Sequence, residues 1–294
     1  LMLQFKVLIN TVLNTLSFLP LTLLHRLAVA FAYFLYFTPN RLKSTTLTNL
    51  NLCFPKKSNK DILRLARLSL IETSKTFFES GKNWIYYPRA GVSSVIEEQG
   101  FSELKNNLAL NKGVILFAPH MGNIEVIINY LGNHVGCTIP YTEAKIPAVD
   151  KIIKNARSSV GALMVKSSTS GVRSLLKALT NGEVICIACD QVPAKEKGIV
   201  ANFFGIPALT MSLVVKLANK TNSPCMSVSC VRKKRGEGFK IYFSKKLIGI
   251  NSSDLQAGVH LMNQELEKCI MRAPEQYAWE YKRFKRSLLK SPYK

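Results

Sequence analysis

At 294 residues the chain is long enough for one large domain, or one domain with an appendage, and its 47% hydrophobic content excludes a disordered or fibrous chain. Forty Lys and Arg against 18 Asp and Glu leave a net charge of +22, which calls for an anionic partner: nucleic acid, an anionic membrane, an acidic carrier protein or a phosphorylated lipid. Seven cysteines, an odd number with no disulfide framework, read as reduced thiols on the cytoplasmic side.

The basic charge is concentrated at the two ends. No acidic residue precedes Asp61, and none follows Glu280, whereas Lys282, Arg283, Lys285, Arg286, Lys290 and Lys294 do. Both ends are also rich in large apolar residues, and basic charge beside apolar surface favours a membrane interface over a nucleic-acid groove. No nucleic-acid-binding motif is present. Val7 to Leu24 and Leu27 to Thr38 are free of charge, interrupted by Pro20 and by His25-Arg26. A spanning helix needs about 20 mainly apolar residues. Residues 1–38 are therefore expected to be a membrane anchor built on one tilted or broken hydrophobic helix, with a soluble helical hairpin as the alternative, Arg41 and Lys43 on the cytoplasmic side and residues 39–294 forming the second unit. No small-residue cleavage site follows, so the segment does not read as a removed signal.

From Arg41 to Tyr87 the pattern is helical, broken at Phe54-Pro55, with Ser58 as the cap of a helix over 61–80. Phe77, Phe78, Trp84, Tyr86 and Tyr87 then form an aromatic cluster, read as core packing with an interfacial wall as the alternative. A strand over 95–98 and a helix near 102–107 lead into the most informative stretch, Gly113 to Glu125. Val114 to Phe117 form a continuous apolar run bounded by Gly113 and Pro119. Ile124, Ile127, Ile128 and Leu131 then recur at helical spacing after Gly122-Asn123, so His120 is expected where a strand ends. At that edge of an open α/β sheet catalytic side chains collect. Glu125 falls in the first turn of the helix that follows. Histidine exchanges a proton near neutral pH, and a carboxylate on its other nitrogen fixes the tautomer, so His120 with Glu125 reads as a general base and its orienting partner. The bland alternative is a first-turn carboxylate beside a satisfied turn histidine.

Further along, 138–141 reads as a strand and 148–160 as a helix carrying Lys151, Lys154 and Arg157. Ser167 to Gly171 open a helix with Arg173 in its first turns, an anion seat or a plain cap. The strand ending at Cys189-Asp190 puts a second carboxylate at a strand end like that of His120. Cys186 and Cys189 lie in this strand, where residues three apart face opposite sides, so the spacing argues against zinc or redox chemistry. Strands over 224–231 and 239–245 and a helix over 253–271 complete a mixed β-sheet flanked by helices, an α/β fold with a hydrophobic helix at the front.

Five landmarks in order resemble the bacterial lipid A biosynthesis acyltransferases, the lauroyl and myristoyl transferases: Asn49 to Pro55, His120 to Glu125 (His-x4-Glu), Asp190-Gln191, Phe203 to Thr210, and Pro274 to Trp279 running into Arg283-Phe284-Lys285. The resemblance implies the glycerolipid-acyltransferase-like fold and an acyltransferase catalytic domain over residues 39–294. It further implies transfer of a fatty acyl chain from an acyl-acyl carrier protein thioester to a hydroxyl of a lipid A precursor, at the inner membrane, with the catalytic domain on the cytoplasmic face. His120 and Glu125 carry over as the catalytic pair, and Arg157, Arg173, Asp190 and Gln191 as substrate-binding residues; no metal or cofactor is implied. A tetrahedral oxyanion needs aimed donors, for which backbone N–H groups near Gly122 are the expectation. The sequence departs from the pattern at the short lead Leu1-Met2, read as a shortened anchor or an altered start, at the charged loop Lys195-Glu196-Lys197, and after Lys285. Two other classes fit less well. A hydrolase would share the histidine but lacks a Gly-x-Ser-x-Gly nucleophile elbow, and a nucleic-acid-binding protein would leave His120 and Glu125 idle.

Overall fold

In the computed structural model, which describes residues 2–91, 93–286 and 290–293, the hydrophobic front is two helices, α1 (Met2–Phe18) and α2 (Leu21–Phe37). The break falls at Pro20, whose ring and missing N–H do not suit a helix interior. α2 is two-sided: Leu24, His25, Ala28 and Ala32 are buried, while Leu23, Leu27, Phe31, Phe34 and Phe37 stand exposed. Its buried stripe packs on α4. No single described helix is long and apolar enough to cross a membrane; α2 and the next helix, α3, together reach that length but are bent by 81°.

α3 (Arg41–Cys53) and α4 (Asn59–Phe78) follow, with Ser58 capping α4 by accepting from the Asp61 amide. A π-helical turn at Lys82–Tyr86 leads into the short α5 (Tyr87–Ala90). The alternating part of the chain then runs β1 (Val95–Gln99), α6 (Phe101–Leu108), β2 (Val114–Ala118), α7 (Ile124–His134), β3 (Cys137–Tyr141), α8 (Pro147–Ser159), β4 (Ala162–Lys166), α9 (Thr169–Thr180) and β5 (Val184–Ala188). A hairpin of β6 (Gly198–Phe203) and β7 (Ile206–Met211), then α10 (Leu213–Thr221), β8 (Cys225–Arg232), β9 (Phe239–Phe243) and α11 (Leu255–Met271) complete it.

Seven strands form one sheet in the order β1-β9-β8-β2-β5-β3-β4, parallel throughout except where β8 meets β9. Strands buried on both faces need apolar side chains at every position, and Val-Ile-Leu-Phe-Ala of β2 is buried along its whole length. Its alternate residues serve two cores. Ile115 and Phe117 join Leu50, Ile62, Leu175 and Leu266 from α3, α4, α9 and α11. Val114 and Leu116 join Phe101, Leu104, Ile127 and Leu131 from α6 and α7 on the other face.

β2 and β5 are neighbours paired in register from Val114 with Val184 to Ala118 with Ala188. Each strand runs on two residues beyond its last paired alanine to an ionisable side chain: His120 from one, Asp190 from the other. Equal overhang on adjacent parallel strands puts the two groups side by side at the carboxyl edge of the sheet. The fold thereby defines the site.

Candidate functional site

The turn after β2 is fixed by its backbone. Gly122 has φ +60° and passes so close to β8 that a Cβ there would lie 2.1 Å from the Cys230 carbonyl oxygen, a place only glycine can occupy. Asn123 caps α7, its Oδ1 accepting from the Glu125 amide at 3.1 Å. The segment Gln276 to Ala278 braces the turn from below: the Gly122 amide donates to the Gln276 carbonyl at 2.9 Å, and the Ala278 amide donates to the His120 carbonyl at 3.0 Å. The Gly122 N–H is thus already engaged and is not among the free backbone donors near this turn.

Asp190, almost fully buried, takes hold of His120 twice. Its Oδ1 lies 2.6 Å from His120 Nδ1, and its Oδ2 accepts the His120 backbone N–H at 2.9 Å. A carboxylate at Nδ1 requires the ring to carry its proton there, which leaves the Nε2 lone pair directed into the open cleft. Burial alone would lower the His120 pKa, but the charge and hydrogen bond of Asp190 outweigh it, and with a smaller push from Glu280 the net shift is upward. Burial likewise pushes Asp190 up, while His120 and Arg283 bring it below the usual carboxylate range. Glu280, itself raised by burial and anchored by the Thr73 hydroxyl at 3.1 Å, is a nearby charge that sequence reasoning passed over.

Glu125 does not sit beside the imidazole as the spacing suggested. The first turn of α7 carries it toward α8, where Arg157 grips it in a two-pronged pair, Nε to Oε2 at 3.0 Å and Nη2 to Oε1 at 2.6 Å. The guanidinium also packs over the Tyr141 ring, 5.0 Å from its centre. His120 and Arg157 line the same cavity, and the Arg157 prongs are committed to Glu125. Arg173 lies apart: it is exposed on α9 and is absent from the lining of that cavity.

The cavity holds about 720 Å³, within the range of small-ligand sites. Ile124, Ile128, Ile139, Leu175 and Met211 give it an apolar wall; Lys166, Lys197 and Lys216 give it cationic side chains, and Gln191 faces it beside His120. The helix start at 167–171 contributes Ser167, Ser168, Thr169 and Gly171 to the lining, with Ser168 capping α9. Lys166 comes from β4 and Lys216 from α10, two elements the sequence reading did not resolve. Glu196 and Lys197 come from the charged loop that departs from the family pattern.

The remaining landmarks are braces rather than lining. Phe203 is buried against Tyr277 and Phe284, and Phe204 meets Phe54 and Trp279, so the aromatic pair packs in the core. Asn49 donates to the carbonyls of Trp279 and Tyr281, both at 2.7 Å. Buried Arg283 donates to the Leu209 carbonyl and to Thr210 Oγ1. Cys186 and Cys189 fall in different cores on opposite faces of the sheet. Among the described residues no group of three or more His, Cys, Asp or Glu side chains is arranged to hold a metal ion.

A histidine with Nδ1 held by a carboxylate and Nε2 open to a partly apolar cavity can take a proton from a bound hydroxyl and return it to a leaving group. Comparison with known proteins gives this geometry its context. The family model for bacterial lipid A biosynthesis acyltransferase matches residues 2–286. The chain is 26% identical over 249 residues to the lipid A biosynthesis palmitoleoyltransferase of Escherichia coli (strain K12), covering 83% of this chain and 79% of that protein. It is 23% identical over 238 residues to the lipid A biosynthesis lauroyltransferase of the same organism, covering 81% and 77%. A lipid A biosynthesis acyltransferase of Haemophilus influenzae is 25% identical over 239 residues, covering 81% and 75%.

Proposed function

The chain belongs to the bacterial lipid A biosynthesis acyltransferase family and is an acyltransferase, and from that premise we propose that it moves a fatty acyl group from an acyl-acyl carrier protein thioester to a hydroxyl of a lipid A precursor. The observation that carries the mechanism is the 2.6 Å pair of His120 Nδ1 and Asp190 Oδ1 at the edge of a cavity with an apolar wall. The acceptor hydroxyl gives its proton to His120 Nε2 as its oxygen attacks the thioester carbonyl. Asp190 holds the tautomer and steadies the imidazolium, which then protonates the departing thiolate. No enzyme nucleophile is needed. Glu125 acts in this reading by fixing Arg157 on the cavity wall, and the apolar side chains of α7, β3 and α9 receive the acyl chain.

The net charge of +22 suits both an acidic carrier and an anionic acceptor. The exposed face of α2, Leu23, Leu27, Phe31, Phe34 and Phe37, with Arg26 and Arg41 beside it, suits a monotopic seat on an anionic bilayer. The inner membrane, approached from the cytoplasmic side, is the surface on which acceptor and carrier meet. Mass spectrometry of lipid A from cells with and without the gene tests the reading. A lipid lighter by one acyl chain in the deletion supports it, and an unchanged acylation pattern contradicts it.

A further inference from the structure

Acyl transfer through a tetrahedral intermediate requires a hydrogen-bond donor aimed at the oxygen that becomes negative, and the first three amides of the turn that carries His120 are engaged elsewhere. The His120 amide is given to Asp190, the Met121 amide to the Pro119 carbonyl, and the Gly122 amide to the Gln276 carbonyl. Arg157, a cation of the cavity wall along with Lys166, Lys197 and Lys216, has its Nε and Nη2 committed to Glu125. A side-chain donor beside Nε2 would lie next to the reacting carbonyl.

Gln191 meets that requirement. Its side-chain nitrogen lies 3.4 Å from His120 Nε2, and it lines the cavity. The orientation of the amide follows from the pair beneath it: with Asp190 on Nδ1, Nε2 is an acceptor, so the NH2 end of Gln191 faces it. At 3.4 Å the contact is long for a hydrogen bond and easily surrendered to an incoming hydroxyl. The position of Gln191 is nonetheless set by the chain on both sides. Asp190 is pinned to His120, and the Val192 amide donates to the Tyr281 hydroxyl at 2.9 Å. A neutral donor held next to the base is adjacent to wherever the attacked carbonyl must lie.

We propose that Gln191 is a catalytic residue that donates its side-chain N–H to the oxyanion of the tetrahedral intermediate; the assignment rests on the acyl-transfer reading above. As the acceptor oxygen bonds to the thioester carbon, its proton passes to His120 Nε2, and the carbonyl π pair moves onto oxygen, where the Gln191 N–H meets it. When that pair returns to reform C=O, the C–S bond breaks and the thiolate takes the proton from the imidazolium. With water in place of the acceptor the same oxyanion forms, so thioester hydrolysis draws on the same donor.

The test uses purified full-length chain in detergent with an acyl-acyl carrier protein thioester, with and without lipid acceptor. Gln191→Met removes the donor at similar size and no charge; Gln191→Glu keeps the shape and sets a carboxylate beside the oxyanion. Because Gln191 is exposed, both variants should fold, which thermal melting checks. Expected for Gln191→Met is a fall in kcat of about 10²–10³ in transfer and hydrolysis alike, with KM changed only a few-fold and the pH of the rising limb unmoved. Gln191→Glu should be at least as slow. A raised KM with kcat intact would make Gln191 a binding residue. A fall in transfer with normal hydrolysis would make it an acceptor clamp, and a moved pH limb with an unchanged plateau would make it a support for the imidazole. Each of these overturns the proposal while leaving the acyl-transfer reading in place. Wild-type protein inactive on the thioester and the acceptor would overturn both.

Discussion

In the proposed reaction His120 can act as a base only when Nε2 is unprotonated, and the Asp190 carboxylate both keeps the proton on Nδ1 and raises the pKa of the ring. The rate should therefore rise with pH along a limb placed above the ordinary histidine value of about 6.5. Asp190→Asn removes the charge responsible for the upward shift. Its limb should move to lower pH while the plateau falls by about 10²–10⁴, because the tautomer is no longer enforced. A pH–rate profile of both proteins checks the two effects together, and an unmoved limb with an unchanged plateau would separate Asp190 from the chemistry. Both residues were legible in the sequence as strand ends. Their contact was not, because nothing in the local pattern of 114–118 or 184–188 says that β2 and β5 are neighbours paired in register. Glu125 shows the converse: its helical position was legible, but its partner Arg157 lies on another helix, and spacing along one chain segment cannot see that. Arg157→Ala should accordingly injure the site by leaving a buried carboxylate unpaired. Its loss should register as lowered thermal stability as well as raised KM, and Arg157→Lys should recover only part, lacking the two-pronged fit.

The elements that form the site are held by a buried network that no motif announced. Arg232, at the end of β8, donates to Glu79 through Nε and Nη2, each at 2.6 Å, to Glu72 at 2.6 Å, and to the Gly122 carbonyl at 3.2 Å. Glu79 in turn accepts from Asn123, the cap of α7, at 2.8 Å, and meets His25 of α2 at 2.7 Å. Burial would raise the Glu79 pKa, but Arg232 and the hydrogen bonds hold it at about 2. Breaking such a pair from one side strands a buried charge. Arg232→Met is expected to cost about 3–5 kcal/mol, and adding Glu79→Gln should return part of it. Denaturant unfolding of the single and double variants checks this; equal loss in both would mean that the pair is not what holds the turn. The long periodic or doubly buried segments were readable, α4, β2, α7, β5 and α11 among them. β4 was not, because at the sheet edge only Ala162 of its five residues is buried and no alternation survives. The β6–β7 hairpin and α10 escaped because they follow one another almost without a break, two residues between the strands and one before the helix, so that no clear boundary marks the change of period.

At the scale of the molecule, the hydrophobic front is docked on the catalytic body as well as turned outward. Leu24, Ala28 and Ala32 of α2 are buried within the protein, and the opposite stripe of the helix is exposed. The proposed membrane attachment is therefore better probed on the outer face than by deletion. Phe34→Glu with Phe37→Glu should weaken binding to anionic vesicles while leaving the melting temperature nearly unchanged, and raised salt should weaken what remains. Vesicle co-sedimentation checks this, and full binding by the double variant would move the membrane face elsewhere. The central claim is narrower, that the imidazole of His120 is the base of an acyl transfer, and one measurement addresses it directly. Purified full-length protein and its His120→Ala variant, matched in melting temperature, are mixed with acyl-acyl carrier protein and a lipid A precursor, and the lipid product is followed by mass spectrometry. The account predicts that the wild-type protein adds one acyl chain and that His120→Ala is slower by about 10²–10⁴, a deficit that more acceptor does not relieve. A folded His120→Ala protein that acylates the lipid at close to the wild-type rate would contradict it.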